Sequence, residues 1–301
     1  MKKKYNFVFF ANSGKGLISV KTVIKLKNYN KIFIFSQKED SWEPKYINNL
    51  KNLCSKKIKL FVLKDFSFKN FLKKIKSENI DIIFAIGWRK IIEKKIIDYA
   101  SIKSFVMHDS LLPKNRGFAP LNWAIIKNEK KTGVSLIAMD KFIDTGNIHI
   151  QEKISIKKND DINILNSKIL KIYSRILIKF FGNTKYYIKN SISQKKIPKN
   201  FNPKRKPKHG LINWNNKSKN ILNLVKALTK PWPGAYFVNK DKIIFVWKIK
   251  IRKKIKKFKK SPGELIIRNQ KYLINCKDNL VELNNFSVKK ISNKIKKIYD
   301  I

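Results

Sequence analysis

The first 110 residues alternate short apolar runs with segments of helical periodicity, and this alternation constrains the fold more than any other feature. The apolar runs lie at 5–11, 31–37, 58–64, 80–88 and 104–108. Between them, apolar residues recur at the spacing of one helix face. Strands that alternate with helices form a parallel sheet covered by helices. We therefore predict an α/β fold with a Rossmann-like parallel sheet in the N-terminal part of the chain.

Functional side chains in such a sheet lie beyond the carboxyl ends of the strands. The chain has three histidines, and His108 ends the run 104–108. The loop "DKFIDTG" follows a later strand and carries Asp144 close to a glycine that permits a sharp bend. A histidine and a carboxylate on neighbouring loops are suited to acid–base chemistry. An aspartate in a turn is also commonly a local cap, so both interpretations of Asp144 stay open.

A glycine-containing turn, "NSGKG", follows the first apolar run. It has two glycines and a lysine, but it lacks the spacing of a P-loop or of a dinucleotide-binding loop. A tight strand-to-helix turn is favoured over a phosphate cradle. The other two histidines, His149 on a strand and His209 in a basic segment, are expected to lie outside the site.

The second half of the chain suggests a linker and a further domain. A long helical pattern covers 161–189, and 190–210 then has three prolines, many lysines and no apolar period. From 211 onward an amphipathic helix precedes short strands separated by turn signals, which predicts a small OB-like β-barrel. The predicted organisation is a catalytic domain at 1–189, a linker at 190–210 and a β-rich domain at 211–301.

The charge balance is strongly basic. Lysine and arginine number 69 against 20 aspartates and glutamates, for a formal net charge of +49. Such a charge favours a polyanionic partner, either a nucleic acid, a nucleotide or an anionic surface. However, nearly all of the excess is lysine, and isoleucine and asparagine are also abundant, as AT-rich codons produce. The charge alone therefore does not identify the partner.

Targeting and metal signals are weak. No apolar run reaches the roughly 20 residues of a transmembrane helix, so no membrane partner is expected. The N-terminus lacks the long apolar region and cleavage site of a signal peptide. Cys54 and Cys276 lie far apart without metal-ligand spacing. These features predict a reduced, cytoplasmic protein without a metal.

Two segments resemble a known family. The stretch "MHDSLLPKNRGFAPLNWAIIKNEKKTGVSLIAMDKFIDTGNI" resembles the core signature of the folate-dependent formyltransferases. That family includes methionyl-tRNA formyltransferase and enzymes that act on nucleotide-linked amino sugars. The later "GLINWNNKSKNILNLVKALTKPWPGAYF" resembles the start of the family's C-terminal domain. The likeness covers nearly the whole chain in the expected order.

The resemblance implies a chemistry and its catalytic residues. The donor is 10-formyltetrahydrofolate, a co-substrate, and the acceptor is a primary amine. The amine attacks the formyl carbon, and the oxyanion that forms needs a positive or hydrogen-bonding partner already in place. Position by position, His108 takes the histidine role and Asp144 the carboxylate role. A nearby carboxylate favours a protonated histidine and can help to remove the amine proton through water.

The same comparison implies two sets of binding residues. The turn that lines the folate site is formed by Ser110, Leu111, Leu112 and Pro113. Lys114 and Arg116 form a basic loop that suits an acceptor bearing phosphate. Asn122 is a candidate residue of the acceptor site, although packing of its own helix is the favoured interpretation.

One position departs from the family. An asparagine usually stands two residues before the histidine, and here that residue is Val106. Valine cannot donate a hydrogen bond, and loss of one oxyanion donor costs about 100- to 1,000-fold in rate in other enzymes. Either another donor substitutes, or the enzyme is slow, or the chain has lost this activity.

The acceptor has two candidates. A nucleotide-linked amino sugar is narrowly favoured by three segments. The segment "APLNWA" is more similar to the sugar enzymes, and "ALTKPWPGA" has an extra residue that the tRNA enzymes usually lack. The turn "ANSGKGL" does not resemble the turn that is common in the tRNA enzymes. Methionyl-tRNA is the alternative, and it suits the basic chain and linker. A folate-fold binding protein with weak or no turnover is a third hypothesis, which rests on Val106.

Overall fold

The computed structural model describes residues 3–39, 44–63, 66–76, 78–194, 201–253 and 261–301. The chain divides into two compact units. The first unit contains Met1–Gly117, Thr132–Ile154 and Ser167–Phe201, and the second contains Phe118–Lys131, Ser155–Asn166 and Asn202–Ile301. The second unit thus includes two segments that the sequence pattern placed in the catalytic domain. The domain bounds given by the sequence pattern stay a prediction.

The first unit is built on a seven-stranded sheet with the strand order β3-β2-β1-β4-β5-β6-β7. Its strands are β1 (Tyr5–Ala11), β2 (Tyr29–Ser36), β3 (Ile58–Val62), β4 (Ile82–Ile86), β5 (Lys103–His108), β6 (Lys131–Ala138) and β7 (Ile148–Ser155). The strands β1 to β5 run parallel to one another. The predicted parallel arrangement is therefore confirmed for these five strands.

Nine α-helices lie in the described part of the chain. They are α1 (Ser13–Leu26), α2 (Ile47–Lys51), α3 (Phe68–Ile75), α4 (Lys94–Ile97), α5 (Pro120–Ile126), α6 (Ile162–Gly182), α7 (Thr184–Lys189), α8 (Ser218–Leu228) and α9 (Asn293–Tyr299). A short 3₁₀ helix covers Pro207–Gly210 within the predicted linker.

Aromatic side chains pack on both faces of the sheet in the first unit. Alternate residues of a strand point to opposite faces, so Phe7 and Phe9 lie on one side and Phe10 on the other. Phe7 packs edge-on against Phe181 of α6 at 5.5 Å between ring centroids, and Phe10 lies 5.2 Å from Trp88. Burial of one such side chain contributes about 1.5–3 kcal/mol. This explains why the strands have near-continuous apolar sequences.

The strand β6 is antiparallel to β5, whereas strand–helix alternation predicts a parallel strand. In this pairing His108 lies opposite Ser135, and Ala138 lies opposite Phe105. The connection contains one helix, the seven-residue α5. That helix is about 10 Å long, half of the roughly 20 Å that a return along a six-residue strand requires. The chain therefore re-enters the sheet at the end where β5 leaves it.

The second unit contains a five-stranded antiparallel sheet with the order β10-β11-β12-β9-β8. Its strands are β8 (Ala235–Asn239), β9 (Lys242–Arg252), β10 (Leu265–Arg268), β11 (Lys271–Asn275) and β12 (Leu280–Lys290). Tyr236, Ile243, Phe245 and Tyr299 form a buried cluster against it. The predicted fold class, a Rossmann-like domain followed by a small β-rich domain, is confirmed.

Candidate active site

His108 is the last residue of β5, and its side chain is 9% exposed. Its Nε2 atom lies 2.9 Å from the main-chain oxygen of Asn115. A carbonyl oxygen only accepts, so Nε2 is the donor in this contact. The other nitrogen, Nδ1, lies 3.4 Å from Oδ2 of Asp144. The predicted histidine and carboxylate therefore lie together, within one unit of the chain.

Asp144 is fixed by the backbone that follows the histidine. Its Oδ2 accepts a 2.9 Å hydrogen bond from the N–H of Gly117. The residue has a left-handed φ of 55°, and its side chain is 11% exposed. A Cβ at Gly146 would lie 1.9 Å from the carbonyl oxygen of Ala138, so only glycine fits two residues later. The bend that the sequence predicts thus aims the carboxylate at His108.

Gln194 closes this loop, and sequence reasoning missed it. Its Nε2 donates to the carbonyl oxygens of Asp144 and Gly146, at 3.0 and 2.8 Å. Its Oε1 accepts from Nε and Nη2 of Arg116, at 3.2 and 2.6 Å. The residue stands in the stretch 190–210, whose composition predicts a linker, so no local pattern marked it. One side chain thus joins the loop that follows His108 to the loop that carries Asp144.

The "SLLP" turn is held from β6 and β7. Ser135 Oγ donates to the carbonyl oxygen of Ser110 at 2.7 Å and accepts from the N–H of Leu112 at 3.2 Å. Gln151 Nε2 donates to the carbonyl of Leu112 at 2.9 Å and to Ser135 Oγ at 2.8 Å. Ser110 Oγ closes the turn by donating to the carbonyl of Lys114 at 2.7 Å. Leu112 is buried, and Leu111 and Pro113 are half-buried. The turn is thus fixed by a hydrogen-bond network inside one unit.

The predicted acceptor residues differ in their surroundings. Lys114 is exposed, whereas Arg116 is 8% exposed and bonded to Gln194. Asn122 lies on α5 in the second unit, where its Nδ2 donates to the carbonyl oxygen of Ala227 at 2.7 Å. That bond ties α5 to α8, in agreement with the packing role that the sequence analysis favours. The assignment of these residues to an acceptor stays a prediction.

Val106 is part of an apolar wall. It lies on the same side of β5 as His108, because residues two apart in a strand share a face. It packs, half-buried, against a cluster that includes Phe10, Ala85 and Trp88. Its surroundings are those of a packing residue. Asn115, which the sequence did not place, reaches the histidine through its main-chain oxygen.

The "NSGKG" turn leads directly into α1, as the favoured interpretation expects. A Cβ at Gly16 would lie 2.8 Å from Cβ of Ala11, so the second glycine permits close packing of helix on strand. Lys15 forms an ion pair with Asp109, the residue after His108. The lysine of this turn is therefore directed at the end of β5.

The described residues contain neither a metal-binding cluster nor a membrane-spanning helix. Within those ranges, no group of histidine, cysteine, aspartate or glutamate side chains has the arrangement of a metal site. None of the helices that can be described is long and apolar enough to span a membrane.

Two family models match successive parts of the sequence. The model described as "Formyl transferase" matches residues 7–180, and "Formyl transferase, C-terminal domain" matches residues 204–299. The first model alone covers more than half of the chain.

Curated relatives and solved structures agree with these matches. The bifunctional polymyxin resistance protein ArnA of Wigglesworthia glossinidia brevipalpis is 38% identical over 280 residues, which cover 90% of this chain and 39% of that protein. The chain thus spans well under half of that relative. A methionyl-tRNA formyltransferase of Caldanaerobacter subterraneus subsp. tengcongensis is 31% identical over 226 residues, which cover 74% of this chain and 72% of that protein. The N-formyltransferase from Helicobacter canadensis, solved with folinic acid and dTDP-3-aminofucose, has a similar fold, with a TM-score of 0.65, 18% identity and coverage of 93% of this chain and 98% of that one.

Proposed function

This chain belongs to the formyl transferase family, and we propose that it moves a formyl group from 10-formyltetrahydrofolate to the primary amine of a nucleotide-linked amino sugar. The observation that carries the proposal is the 3.4 Å approach of Asp144 Oδ2 to Nδ1 of His108 at the end of β5. This pair lies in one unit with the "SLLP" turn, inside the segment that resembles the family's core signature.

The reaction begins when the acceptor nitrogen attacks the formyl carbon. A carbon–nitrogen bond forms, and the formyl oxygen becomes an oxyanion. The bond from carbon to the folate nitrogen then breaks, and that nitrogen takes a proton while the acceptor nitrogen loses one. The enzyme therefore needs a donor for the oxyanion and a route for one proton.

His108 supplies the hydrogen-bond donor for the oxyanion. Its Nε2 lies 2.9 Å from the carbonyl oxygen of Asn115, and the formyl oxygen takes the place of that acceptor in the reaction. The carboxylate of Asp144 lies beside the opposite nitrogen, where its negative charge stabilises an imidazolium. Asp144 also receives the amine proton through water.

The formyl donor, 10-formyltetrahydrofolate, is held by the turn of Ser110, Leu111, Leu112 and Pro113. The folate heterocycle is flat and carries several donors and acceptors, which main-chain groups of a rigid turn match well. The bonds from Ser135 and Gln151 keep the turn in place before the folate binds. This arrangement avoids the entropic cost of ordering a loop on binding.

The acceptor follows from the basic loop and from sequence detail. Lys114 is exposed beside the turn and can pair with a phosphate, and Arg116 lies in the same basic loop. Asn122, in the second unit, is a candidate acceptor residue on the family resemblance alone. The segments "APLNWA", "ALTKPWPGA" and "ANSGKGL" favour a sugar. We further propose a cytoplasmic location, since Cys54 and Cys276 are both free thiols.

Methionyl-tRNA is the second candidate acceptor. It is supported by relatives named methionyl-tRNA formyltransferase at 31% and 32% identity, over 74% and 71% of this chain. The net charge of +49 also suits a nucleic acid. Binding of folate without turnover is the third hypothesis.

One experiment separates the three. The purified chain is mixed with 10-formyltetrahydrofolate and either a panel of nucleotide-linked amino sugars or methionyl-tRNA, and tetrahydrofolate release is followed with product mass. Formylation of a sugar with no reaction on the tRNA is the expected result. Faster reaction on methionyl-tRNA would make methionyl-tRNA the acceptor in place of the sugar. Folate binding with no product from any acceptor would support the third hypothesis, a folate-binding protein without turnover.

A further inference from the structure

Asp109, the residue directly after His108, has a carboxylate that the proposed reaction does not use. Its Oδ1 accepts a 2.7 Å hydrogen bond from the hydroxyl of Tyr173, and its Oδ2 forms an ion pair with Nζ of Lys15. The side chains of Asp109 and Lys15 are 12% and 20% exposed. A charge this buried is costly without a partner, and both partners come from distant parts of the chain.

Tyr173 contacts the chain on both sides of the histidine. Its hydroxyl lies 3.1 Å from the main-chain oxygen of Met107 and 2.7 Å from Oδ1 of Asp109. A hydroxyl has one proton to donate, and the shorter contact to a carboxylate is the stronger bond. Burial raises the pKa of Tyr173 well above its ordinary value, and the charge of Asp109 raises this pKa further. The group is therefore a permanent donor at neutral pH.

The three residues join three elements at the end of β5. Tyr173 lies on α6 and Lys15 in the first turn of α1. The two helices are also linked by Thr22 Oγ1, which donates to Oγ of Ser174 at 3.0 Å. The residues on either side of His108, Met107 and Asp109, therefore contact the helices. The ring of His108 instead contacts the loops that contain Asn115 and Asp144.

We propose that Asp109, Tyr173 and Lys15 are positioning residues that fix the backbone at His108 and so aim its ring at the reacting formyl group. The proposal rests on the proposed catalytic role of His108. A catalytic group displaced by about 1 Å can lose on the order of 100-fold in rate. Positioning by Tyr173 and Asp109 therefore acts on kcat and leaves substrate binding unchanged.

The kinetic test uses Tyr173→Phe, Asp109→Asn and the double variant. Each single variant is expected to lower kcat about 10- to 100-fold with unchanged KM for donor and acceptor. Because the two groups act through one bond, the double variant should lose no more than the worse single variant. Tyr236→Phe is the matched control, since Tyr236 is also buried and its hydroxyl lies 3.4 Å from the carbonyl of Tyr299 in the second unit. Its kcat is expected to equal that of the parent chain.

A spectroscopic arm is independent of turnover. The chain has three histidines, so the imidazole nitrogen resonances of each can be assigned by NMR. In the parent chain the nitrogen resonances of His108 should show a proton on Nε2, and Tyr173→Phe or Asp109→Asn should shift these resonances while those of His149 and His209 stay unchanged. A parent chain that lacks formyl transfer but shows this change would remove the proposed function and keep the positioning role.

Two results would overturn the proposal. One is parent-like kcat in both single variants. The other is a set of three observations on the single variants: a lower kcat, unchanged His108 resonances and a melting temperature below that of Tyr236→Phe. Together these would show that the residues have a structural role alone. If Tyr173→Phe fails to fold, Lys15→Met and Asp109→Asn give the same two readouts, and the same outcomes decide.

Discussion

Oδ2 of Asp144 lies 3.4 Å from Nδ1 of His108 while it accepts a 2.9 Å hydrogen bond from the N–H of Gly117. The carboxylate is thus anchored to the loop that follows the histidine. Nε2 on the other side of the ring is bonded to the carbonyl of Asn115. Both nitrogens of the ring are therefore oriented before a substrate binds, as electrostatic catalysis requires.

His108→Ala is expected to lower kcat for formyl transfer at least about 100-fold, because it removes the hydrogen-bond donor for the oxyanion. The fold should survive, as judged by circular dichroism and thermal melting. His209→Ala, a change of an exposed histidine in the second unit, is the control and should keep full activity. Retained turnover in His108→Ala would contradict the assigned role.

Asp144→Asn keeps an oxygen that can accept from Gly117 but removes the negative charge beside the ring. We expect kcat to fall on the order of 100-fold with little change in melting temperature. Asp161→Asn, a change in a carboxylate that accepts from the N–H of Asn163 at the start of α6, is the matched charge control. Equal losses in the two variants would show that charge at Asp144 has no special part in the reaction.

Val106→Asn tests whether the missing donor limits the rate. The new amide lies on the side of β5 that carries His108, so it should raise turnover tenfold or more on one acceptor, within the 2.7–4 kcal/mol that one oxyanion donor supplies in other enzymes. The polar group enters an apolar cluster, so stability should fall by about 1–3 kcal/mol.

Val106→Ala separates hydrogen bonding from space, since it opens the same position without a donor. It is expected to bring no gain in rate. If the parent chain already turns over rapidly and Val106→Asn gains nothing, another group in the site fills the role of the asparagine.

Gln194→Glu separates the two functions of that side chain. The carboxylate can still accept from Arg116, but it can no longer donate to the carbonyls of Asp144 and Gly146. We expect kcat to fall about tenfold, nearly as far as in Gln194→Ala, because the loop that carries Asp144 loses its fixed geometry. Steady-state kinetics of both variants give the comparison. Parent-like kcat in Gln194→Glu would show that the two donated bonds are unnecessary.

His149 should make the first unit less stable in mild acid. Burial lowers the pKa of His149 below its ordinary value, an effect only partly opposed by its bond to the carbonyl of Tyr187. The folded chain therefore holds this ring neutral, while the unfolded chain takes up the proton near pH 6.5, so stability falls as pH drops through that region. His149→Gln should reduce the loss of urea midpoint between about pH 7 and about pH 5.5. An unchanged loss in this variant would assign the acid sensitivity elsewhere.

Local sequence was sufficient for most strands and for the central turn. The predicted run 5–11 coincides with Tyr5–Ala11, and 104–108 lies within Lys103–His108. These strands are buried on both faces, so their sequences are continuously apolar and separate clearly from the amphipathic helices. His108 and the "SLLP" turn were also found locally, because a strand end and a stiff turn depend on neighbouring residues.

The tertiary structure decided the contacts that complete the site. The strand β6 is antiparallel, so Ala138 at its end lies opposite Phe105, and the loop carrying Asp144 must fold back to reach His108. Gln194 meets Asp144 across 50 positions of sequence, and Tyr173 meets Asp109 across 64. Periodicity and turn chemistry describe what a segment does with its near neighbours. The polar partner of a side chain depends on which distant segments the packed elements bring together. A linker-like composition or a helical periodicity does not predict those contacts.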